Sequence, residues 1–561
     1  MIKMIRIMFL FLCVLIFSST YVTAQSKQAA IASAHPLATQ VGINILRQGG
    51  NAFDAAAAIT ASLAVVEPYS SGLGGGAFWL IHRSSDNKQV MIDGREKAPM
   101  RSTHDMYLDK AGDVVEGLSL NGPKAAGIPG VPAGIEHLVK NYGRLSLKQV
   151  LMPAIKQAKR GFIVSERYQK LLNYRKDVVS QYPSAAKIFL NKYKIPAIGE
   201  LIVQKDLAKT LIEFANYGRK GFYQGPIAKQ MVSSVINNGG IWQLDDLKEY
   251  QVIEREPIVL NYNGIKVISA APPSSGGIVM GQALNILEQF NLEEFDSITR
   301  KHLVIEAMRR AYRDRAAYLG DPDFIDIPVK RLLDKNYAEG LALTINLKRA
   351  TPSTELSNIA TIQQKGTDTT HFSVVDAEGN RVSATLSINL PFGSGFVAEG
   401  TGVLLNNEMD DFSVKPLTAN AYGLVGDHAN SIAPNKRPLS SMTPTFLETD
   451  DRVAVLGTPG GSRIISMVLL GVLNFAEGKT PKSWVSLSRY HHQYLPDQVE
   501  FEQGGFSDVE QAALKDKGHI LKEKNRRYGN MQAIMIWKSK DLIFAASDPR
   551  GKGSAKVFYY P

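Results

Sequence analysis

Residues 371–390 constrain this chain more than any other stretch, because they spell out a β-hairpin. His371-Phe372-Ser373-Val374-Val375-Asp376 alternates with a period of two, Ala377-Glu378-Gly379-Asn380 supplies turn residues, and Arg381 to Leu390 alternates again. With a three-residue loop whose Gly379 takes the left-handed conformation, Asp376 pairs with Asn380. Counting outward then sets Thr369 opposite Ser387, with Asn389 two residues along on the same face. A four-residue loop would turn Ser387 and Asn389 to the other face. Thr369 itself has two readings at this point: an ordinary β-forming residue, or a hydroxyl nucleophile at the end of an element.

The stretch before the hairpin reads as α/β. Gly49-Gly50-Asn51 precedes an Ala-rich helix, Ala52 to Val66, whose small side chains allow close approach to a sheet. Glu67-Pro68 stops it, and a loop over Ser70 to Gly76 leads into the apolar strand Ala77 to Ile81. Between Pro129 and Ile258 the pattern is mostly helical, as in Leu147 to Arg160 and Leu207 to Tyr217. Another helix spans His302 to Tyr318, with Val304, Ile305, Met308 and Tyr312 on its apolar side and Arg309, Arg310, Arg313 and Arg315 expected on a solvated or salt-bridged side. A polar stretch from Ile345 to Gly366 reads as an exposed linker, and a β-rich block follows the hairpin to Pro561. With 44% apolar and 21% charged residues in 561, the composition is globular and excludes collagen, coiled coil and wholesale disorder.

The formal charge of +11 suits small anions, but no Arg-rich run with interleaved aromatics points to nucleic acid. Residues 1–24 carry Lys3 and Arg6, an apolar run from Ile7 to Phe17 and the small-residue ending Val22-Thr23-Ala24, the pattern of a cleaved export signal. The apolar run falls short of the ~20 residues a spanning helix needs, and Phe11-Leu12 before Cys13 argues against a lipid anchor. Cys13 is the only cysteine, so a chain without its leader has no thiol nucleophile, disulfide, thiolate zinc site or iron–sulfur cluster.

Thr369-Thr370-His371-Phe372-Ser373-Val374, Gly379-Asn380, Ser383 to Asn389 and Phe392-Gly393 together resemble the signature of the γ-glutamyltranspeptidase family. The likeness extends through Gly49-Gly50-Asn51-Ala52, Asp93-Gly94-Arg95, Glu306 to Asp321, Asn406 to Phe412, Pro434 to Pro444 and Pro459-Gly460-Gly461-Ser462. It implies an α/β (α+β) fold, the four-layer αββα sandwich of the N-terminal-nucleophile hydrolases. It also implies one precursor that cuts itself between Asp368 and Thr369 into a large subunit, 25–368, and a small subunit, 369–561, intertwined in one body. Thr369 would be the nucleophile, its freed α-amine the base, and Ser387 the hydroxyl that orients it. The family usually has threonine where Ser387 stands, so here the methyl that stiffens χ1 is missing.

For substrate, the resemblance implies glutathione and other γ-glutamyl amides, with water, amino acids or dipeptides as acceptors, and no cofactor or metal. Arg95 and the pair Ser440-Ser441 match the residues that hold the α-carboxylate, a role suited to a planar guanidinium and two hydroxyl donors. Glu408 and Asp411 match the carboxylates that take the α-ammonium, with Asn389 assisting. Gly460 and Gly461 match the backbone donors of an oxyanion site, and Tyr422 lies in a segment, Pro416 to Asn430, that covers the glutamyl pocket in part of the family. Without the family context these residues read as a surface salt bridge, a serine loop, a packed tyrosine and an acidic loop that lacks EF-hand spacing. Gly457 to Arg463 lacks the lysine and spacing of a phosphate loop. His371 reads as structural, and His491-His492 lacks a third ligand at metal spacing. A glutaryl or cephalosporin acylase of the same fold, or an uncut exported binding homologue, is the alternative. The location expected is periplasmic or extracellular, without a stable membrane anchor.

Overall fold

A computed structural model describes residues 28–356, 369–415 and 418–559. The leader read over 1–24 and Asp368 lie outside the described residues. The strands used below are β1 (Gln28–Ser33), β2 (Gly76–Arg83), β3 (Lys88–Gly94), β4 (Ile253–Arg255), β5 (Ile258–Tyr262), β6 (Ile265–Ser269) and β7 (Thr370–Val375). They continue with β8 (Arg381–Ser387), β9 (Thr445–Glu448), β10 (Arg452–Gly457), β11 (Gln532–Trp537), β12 (Leu542–Ser547) and β13 (Ser554–Tyr559). One seven-stranded sheet runs β13-β1-β7-β8-β2-β3-β4, and a six-stranded sheet runs β12-β11-β10-β9-β6-β5. The named pairings within both are antiparallel.

Helices cover the outer faces. Helices α1 (Pro36–Arg47), α2 (Ala52–Val66) and α3 (Leu147–Arg160) share a core with Trp79, Ile81, Phe372 and Val374 of the first sheet. Helices α4 (Gly276–Leu287), α5 (Ser297–Tyr318) and α6 (Ile464–Ala476) share a second core with Phe446, Val455 and Ile534 of the second sheet. Phe78, Leu80 and Met91 of the first sheet point into that second core, so the order of layers is αββα. Helix α2 is buried along its whole length. Its start is set by Asn51, whose side chain accepts from the N–H groups of Phe53 and Asp54 while Asp54 returns a bond to the Asn51 N–H.

The hairpin takes the three-residue register. Thr370 pairs with Leu386 and Val375 with Arg381, Asp376 N–H donates to the Asn380 carbonyl at 3.1 Å, and Gly379 sits at φ 88°. A polar ladder follows on the face turned toward the second sheet, where His371 lies opposite Thr385 and Ser373 opposite Ser383. The Ser373 hydroxyl donates to the carbonyls of Val455 and Gln532, and Ser383 donates to Leu456 and accepts from the Thr445 N–H. These hydroxyls tie the two sheets together, as does the ion pair of Arg381 on β8 with Glu448 on β9 at 2.9 Å.

Two expectations change. The block after the hairpin is not simply β-rich, because it contains α6: Ile464 to Ala476 has no polar face to give a helical period, since it is packed almost all round. Of the two readings for the α5 arginines, the salt-bridged one holds for Arg309, Arg310 and Arg313; Arg309, Arg310 and Arg315 are buried, and Arg313 is half-buried. Glu306 pairs with Arg309 and Arg310, and Arg309 also meets Asp497. The linker expected over 345–366 is described as far as residue 356, where Ala350 and Ser353 are buried rather than exposed.

Candidate active site

Thr369 immediately precedes β7, which lies between β1 and β8 near the middle of the first sheet. Its Oγ1 is 3.5 Å from the Ser387 Oγ, and Ser387 accepts the Asn389 N–H at 2.8 Å. The next side chain, Thr370, points to the opposite face and donates to Glu67 Oε2 at 2.8 Å. Burial pushes the Glu67 carboxyl above its ordinary range, against the lowering pull of Arg167 and its hydrogen bonds from Thr370 and Tyr69.

Arg95 follows the last residue of β3 and is 1% exposed. Its guanidinium donates to Glu408 at 2.7 Å, Asp411 at 2.5 Å and the Pro438 carbonyl at 3.1 Å. It is therefore a buried ion pair, not a surface one. Glu408 and Asp411 sit together on a 3-10 turn, Glu408–Asp411. Burial raises Glu96, beside Arg95, to about 7 and carries Glu408 well above the usual carboxylate range, although Arg95 pulls both down.

Asn389 has φ 70°, a left-handed conformation, and donates its side-chain amide to the Asn407 carbonyl. Its Oδ1 is buried and has no hydrogen-bond partner among the described residues. Ser440 Oγ accepts the Met442 N–H, and Ser441 Oγ accepts from Arg315 at 3.3 Å. The Tyr422 hydroxyl donates to the Asn389 carbonyl at 2.8 Å, and its ring lies where a Cβ on Gly461 would stand, 2.3 Å from that position. Gly460 and Gly461 take φ values of 151° and 59°. Arg95, Thr369, Ser387, Asn389, Glu408, Asp411, Tyr422, Ser440, Ser441 and Gly461 line one narrow pocket; Gly460 instead lines a separate cavity.

Sequence reasoning missed Arg315. It reaches the pocket from α5, donating to Ser275 as well as Ser441, and burial lowers its pKa to about 10. The signal available was one more arginine on a helix rich in them, which does not separate a pocket residue from its neighbours. His371 lies outside the pocket, with its ring nitrogens facing Thr385 and Ser373, and burial lowers its pKa to about 3. Among the described residues His302, Glu306 and His519 come close enough to share an ion. Glu306 is held by two arginines there, and the two histidines face each other at 2.8 Å. That is the chemistry of a buried hydrogen-bond network rather than of a cation site.

Two facing antiparallel sheets under outer helices, with a hydroxyl side chain at the head of a central strand, define an N-terminal-nucleophile hydrolase. A sequence model of the family described as gamma-glutamyltranspeptidase matches residues 38–558. The glutathione hydrolase proenzyme of Escherichia coli (strain K12) is 43% identical over 531 residues, covering 94% of this chain and 91% of its own. That of Bacillus subtilis (strain 168) is 35% identical over 548 residues, covering 94% and 91%. Among solved structures, a cephalosporin acylase from Bacillus halodurans has TM-score 0.83 at 29% identity, covering 95% of this chain and 96% of its own. A Helicobacter pylori gamma-glutamyltranspeptidase chain has TM-score 0.56 at 44% identity, covering 58% and 93%. The chain belongs to the γ-glutamyltranspeptidase family of enzymes.

Proposed function

We propose that the chain is an exported, self-processing γ-glutamyltransferase that acts on glutathione and other γ-glutamyl amides through an ester on Thr369. Processing begins when the Thr369 hydroxyl adds to the carbonyl of residue 368, shifting the acyl group from nitrogen to oxygen. Water then hydrolyses that ester, leaving a carboxylate on the large subunit and a free α-amine on Thr369. An α-amine titrates near 7.7–8.0 in the absence of perturbation, so around neutral pH a useful fraction can accept the hydroxyl proton.

In the catalytic cycle Thr369 Oγ1 bonds to the γ-carbonyl carbon, the amide C–N bond breaks, and the leaving amine takes the proton. Water or the amine of an amino acid or dipeptide then attacks the ester and restores the hydroxyl. Ser387 orients the nucleophile, and the backbone at Gly460-Gly461 stabilises the oxyanion, a contribution of about 3 kcal/mol for one such donor. Arg95, Ser440 and Ser441 hold the α-carboxylate. Glu408, Asp411 and the unpartnered Oδ1 of Asn389 receive the α-ammonium, and Tyr422 closes over the pocket.

The observation that carries this reading is the convergence of Arg95 with Glu408 and Asp411 in the pocket that also holds Thr369 and Ser387. Such a site suits a head group with both charges. The close overall likeness to a cephalosporin acylase favours a second reading, hydrolysis of glutaryl-type amides that lack the ammonium. The test is a comparison of γ-glutamyl and glutaryl anilides, with faster cleavage of the γ-glutamyl compound expected. On a denaturing gel the protein gives two pieces, 25–368 and 369–561, and Thr369→Ala gives one inactive band. Preference for the glutaryl anilide, or an active uncut Thr369→Ala protein, overturns the proposal.

A further inference from the structure

Arg95 has little left to offer a substrate. Its Nη1 donates to Glu408 at 2.7 Å and to Glu96 at 3.4 Å, its Nη2 donates to Asp411 at 2.5 Å, and its Nε donates to the Pro438 carbonyl at 3.1 Å. Three carboxyl groups therefore share one guanidinium. Arg315, which lines the same pocket from α5, is in the opposite position. It is 5% exposed, and its guanidinium meets only hydroxyls among the described residues: Nε donates to Ser275 Oγ at 3.0 Å and Nη2 to Ser441 Oγ at 3.3 Å. Asp411 pulls on it electrostatically from beyond contact, but that carboxylate is already held by Arg95. A guanidinium buried without its own counter-charge is unfavourable until an anion arrives to pair with it.

The hydroxyls around Arg315 have a fixed direction. Ser275 immediately precedes α4, and both its N–H and its hydroxyl donate to the Ser440 carbonyl, at 2.8 and 2.7 Å. The Ser274 hydroxyl donates to the Met442 carbonyl at 2.7 Å, so the backbone of residues 440–442 is pinned to the head of that helix. Having given its proton to Ser440, the Ser275 oxygen can only accept from Arg315. Ser441 Oγ likewise accepts from Arg315, and Ser440 Oγ accepts the Met442 N–H at 3.1 Å. Each member of the serine pair thus has an oxygen lone pair filled by a protein donor, and neither hydroxyl proton has an acceptor among the described residues. Both protons are left for a guest that accepts, and a hydroxyl that itself accepts from a cation is the stronger donor for it.

We infer that Arg315 is a positioning residue for the substrate α-carboxylate: by occupying a lone pair of Ser441 it turns that hydroxyl proton toward the carboxylate, and it supplies positive charge that Arg95, engaged by three acids, cannot. The inference rests on the γ-glutamyl reading above and adds to it the group that sets the polarity of the serine pair. The arrangement also explains why an arginine stands here. One planar fork reaches Ser275 and Ser441 together and so links the loop ahead of α4 to the serine pair, whereas the single ammonium of a lysine has no such span.

The experiment uses the processed enzyme and two substrates, a γ-glutamyl anilide and the same compound with its α-carboxylate converted to an amide. The unaltered enzyme is expected to prefer the carboxylate. Arg315→Met raises KM for the carboxylate compound by roughly tenfold, the scale of one charged hydrogen bond, with kcat little changed. KM for the amide stays where it was, so the preference falls toward one. Arg315→Lys, which keeps the charge without the fork, falls between the two. The double variant Arg315→Met/Ser441→Ala loses less than the product of the two single losses, because the arginine works through that serine. Two bands on a denaturing gel show that a variant has folded and matured, and if Arg315→Met fails there, Arg315→Lys carries the comparison. Equal losses for the two substrates, single losses that multiply in the double variant, or a preference unchanged by either substitution overturns the inference alone. Ready cleavage of both substrates at equal kcat/KM by the unaltered enzyme overturns it as well. Failure of the unaltered enzyme to cleave the γ-glutamyl anilide removes the γ-glutamyl reading, and this inference with it.

Discussion

Around Arg95 three carboxylates crowd one guanidinium, with Asp411 at 2.5 Å, Glu408 at 2.7 Å and Glu96 at 3.4 Å. Burial keeps protons on Glu96 up to about 7 and also holds Glu408 well above the ordinary carboxylate range. As pH rises through that window these groups ionise, and negative charge accumulates where the substrate ammonium is to bind. Affinity for an unreactive γ-glutamyl analogue is therefore expected to increase with pH through about 7, and Glu408→Gln to flatten that rise. Inhibition constants measured across pH check this, and a flat profile for the unaltered protein contradicts it. The pocket also shows where single residues are legible and where they are not. Thr369, Ser387 and Asn389 follow from counting along a hairpin, and Arg95, Glu408, Asp411, Ser440 and Ser441 follow from family motifs. Arg315 does not, since which of several helical arginines turns toward a pocket depends on what α5 packs against.

At the scale of elements, the hairpin is fastened to the outer layer through Asp376. Its carboxylate accepts the N–H groups of Glu378 and Asn380 within the turn, the Asn380 side-chain amide, and the N–H of Ala52 at the first turn of α2. One buried side chain thereby fixes the loop length and ties the nucleophile strand's hairpin to a helix start. Asp376→Ala leaves several buried donors without partners and is expected to cost at least about 2 kcal/mol. The lowered urea midpoint of an uncut Thr369→Ala background would measure it, and Asp376→Asn should recover part of the loss. Loop length was the ambiguity in the sequence, because three- and four-residue loops are both compatible with Ala377 to Asn380. The clamp that settles it involves Ala52, more than three hundred residues away, and no local pattern carries that. Helix α6 was illegible for the opposite reason: an element buried almost all round has no polar face to set a period.

At the scale of the whole molecule, segments from either side of residue 368 interleave in the first sheet and adjoin along one strand pair in the second. β1, β2, β3 and β4 share the first sheet with β7, β8 and β13, and β5 and β6 share the second with β9 to β12. Once the proposed cut is made, the two pieces are expected to stay together through native size-exclusion chromatography and to part only under denaturing conditions. Separate elution of the two pieces without denaturant would contradict this. The family likeness anticipated an intertwined pair, whereas the strand order itself depends on pairings such as β1 with β13, between residues near the two ends of the described chain.

The hydroxyls that cross between the sheets bear on how such a cut is survived. Thr369 precedes a strand of one sheet, while Gly460 and Gly461 follow β10 of the other, so the attacking oxygen and the oxyanion donors of the proposed reaction are mounted on separate halves of the sandwich. Greasy surfaces slip past each other with little penalty, but Ser373 and Ser383 act as pegs, each engaging particular backbone atoms across the gap. The proposed cut ahead of Thr369 would relax the tether at one end of that strand. The pegs, two or more rungs further along, hold the alignment of the halves that the tether no longer enforces.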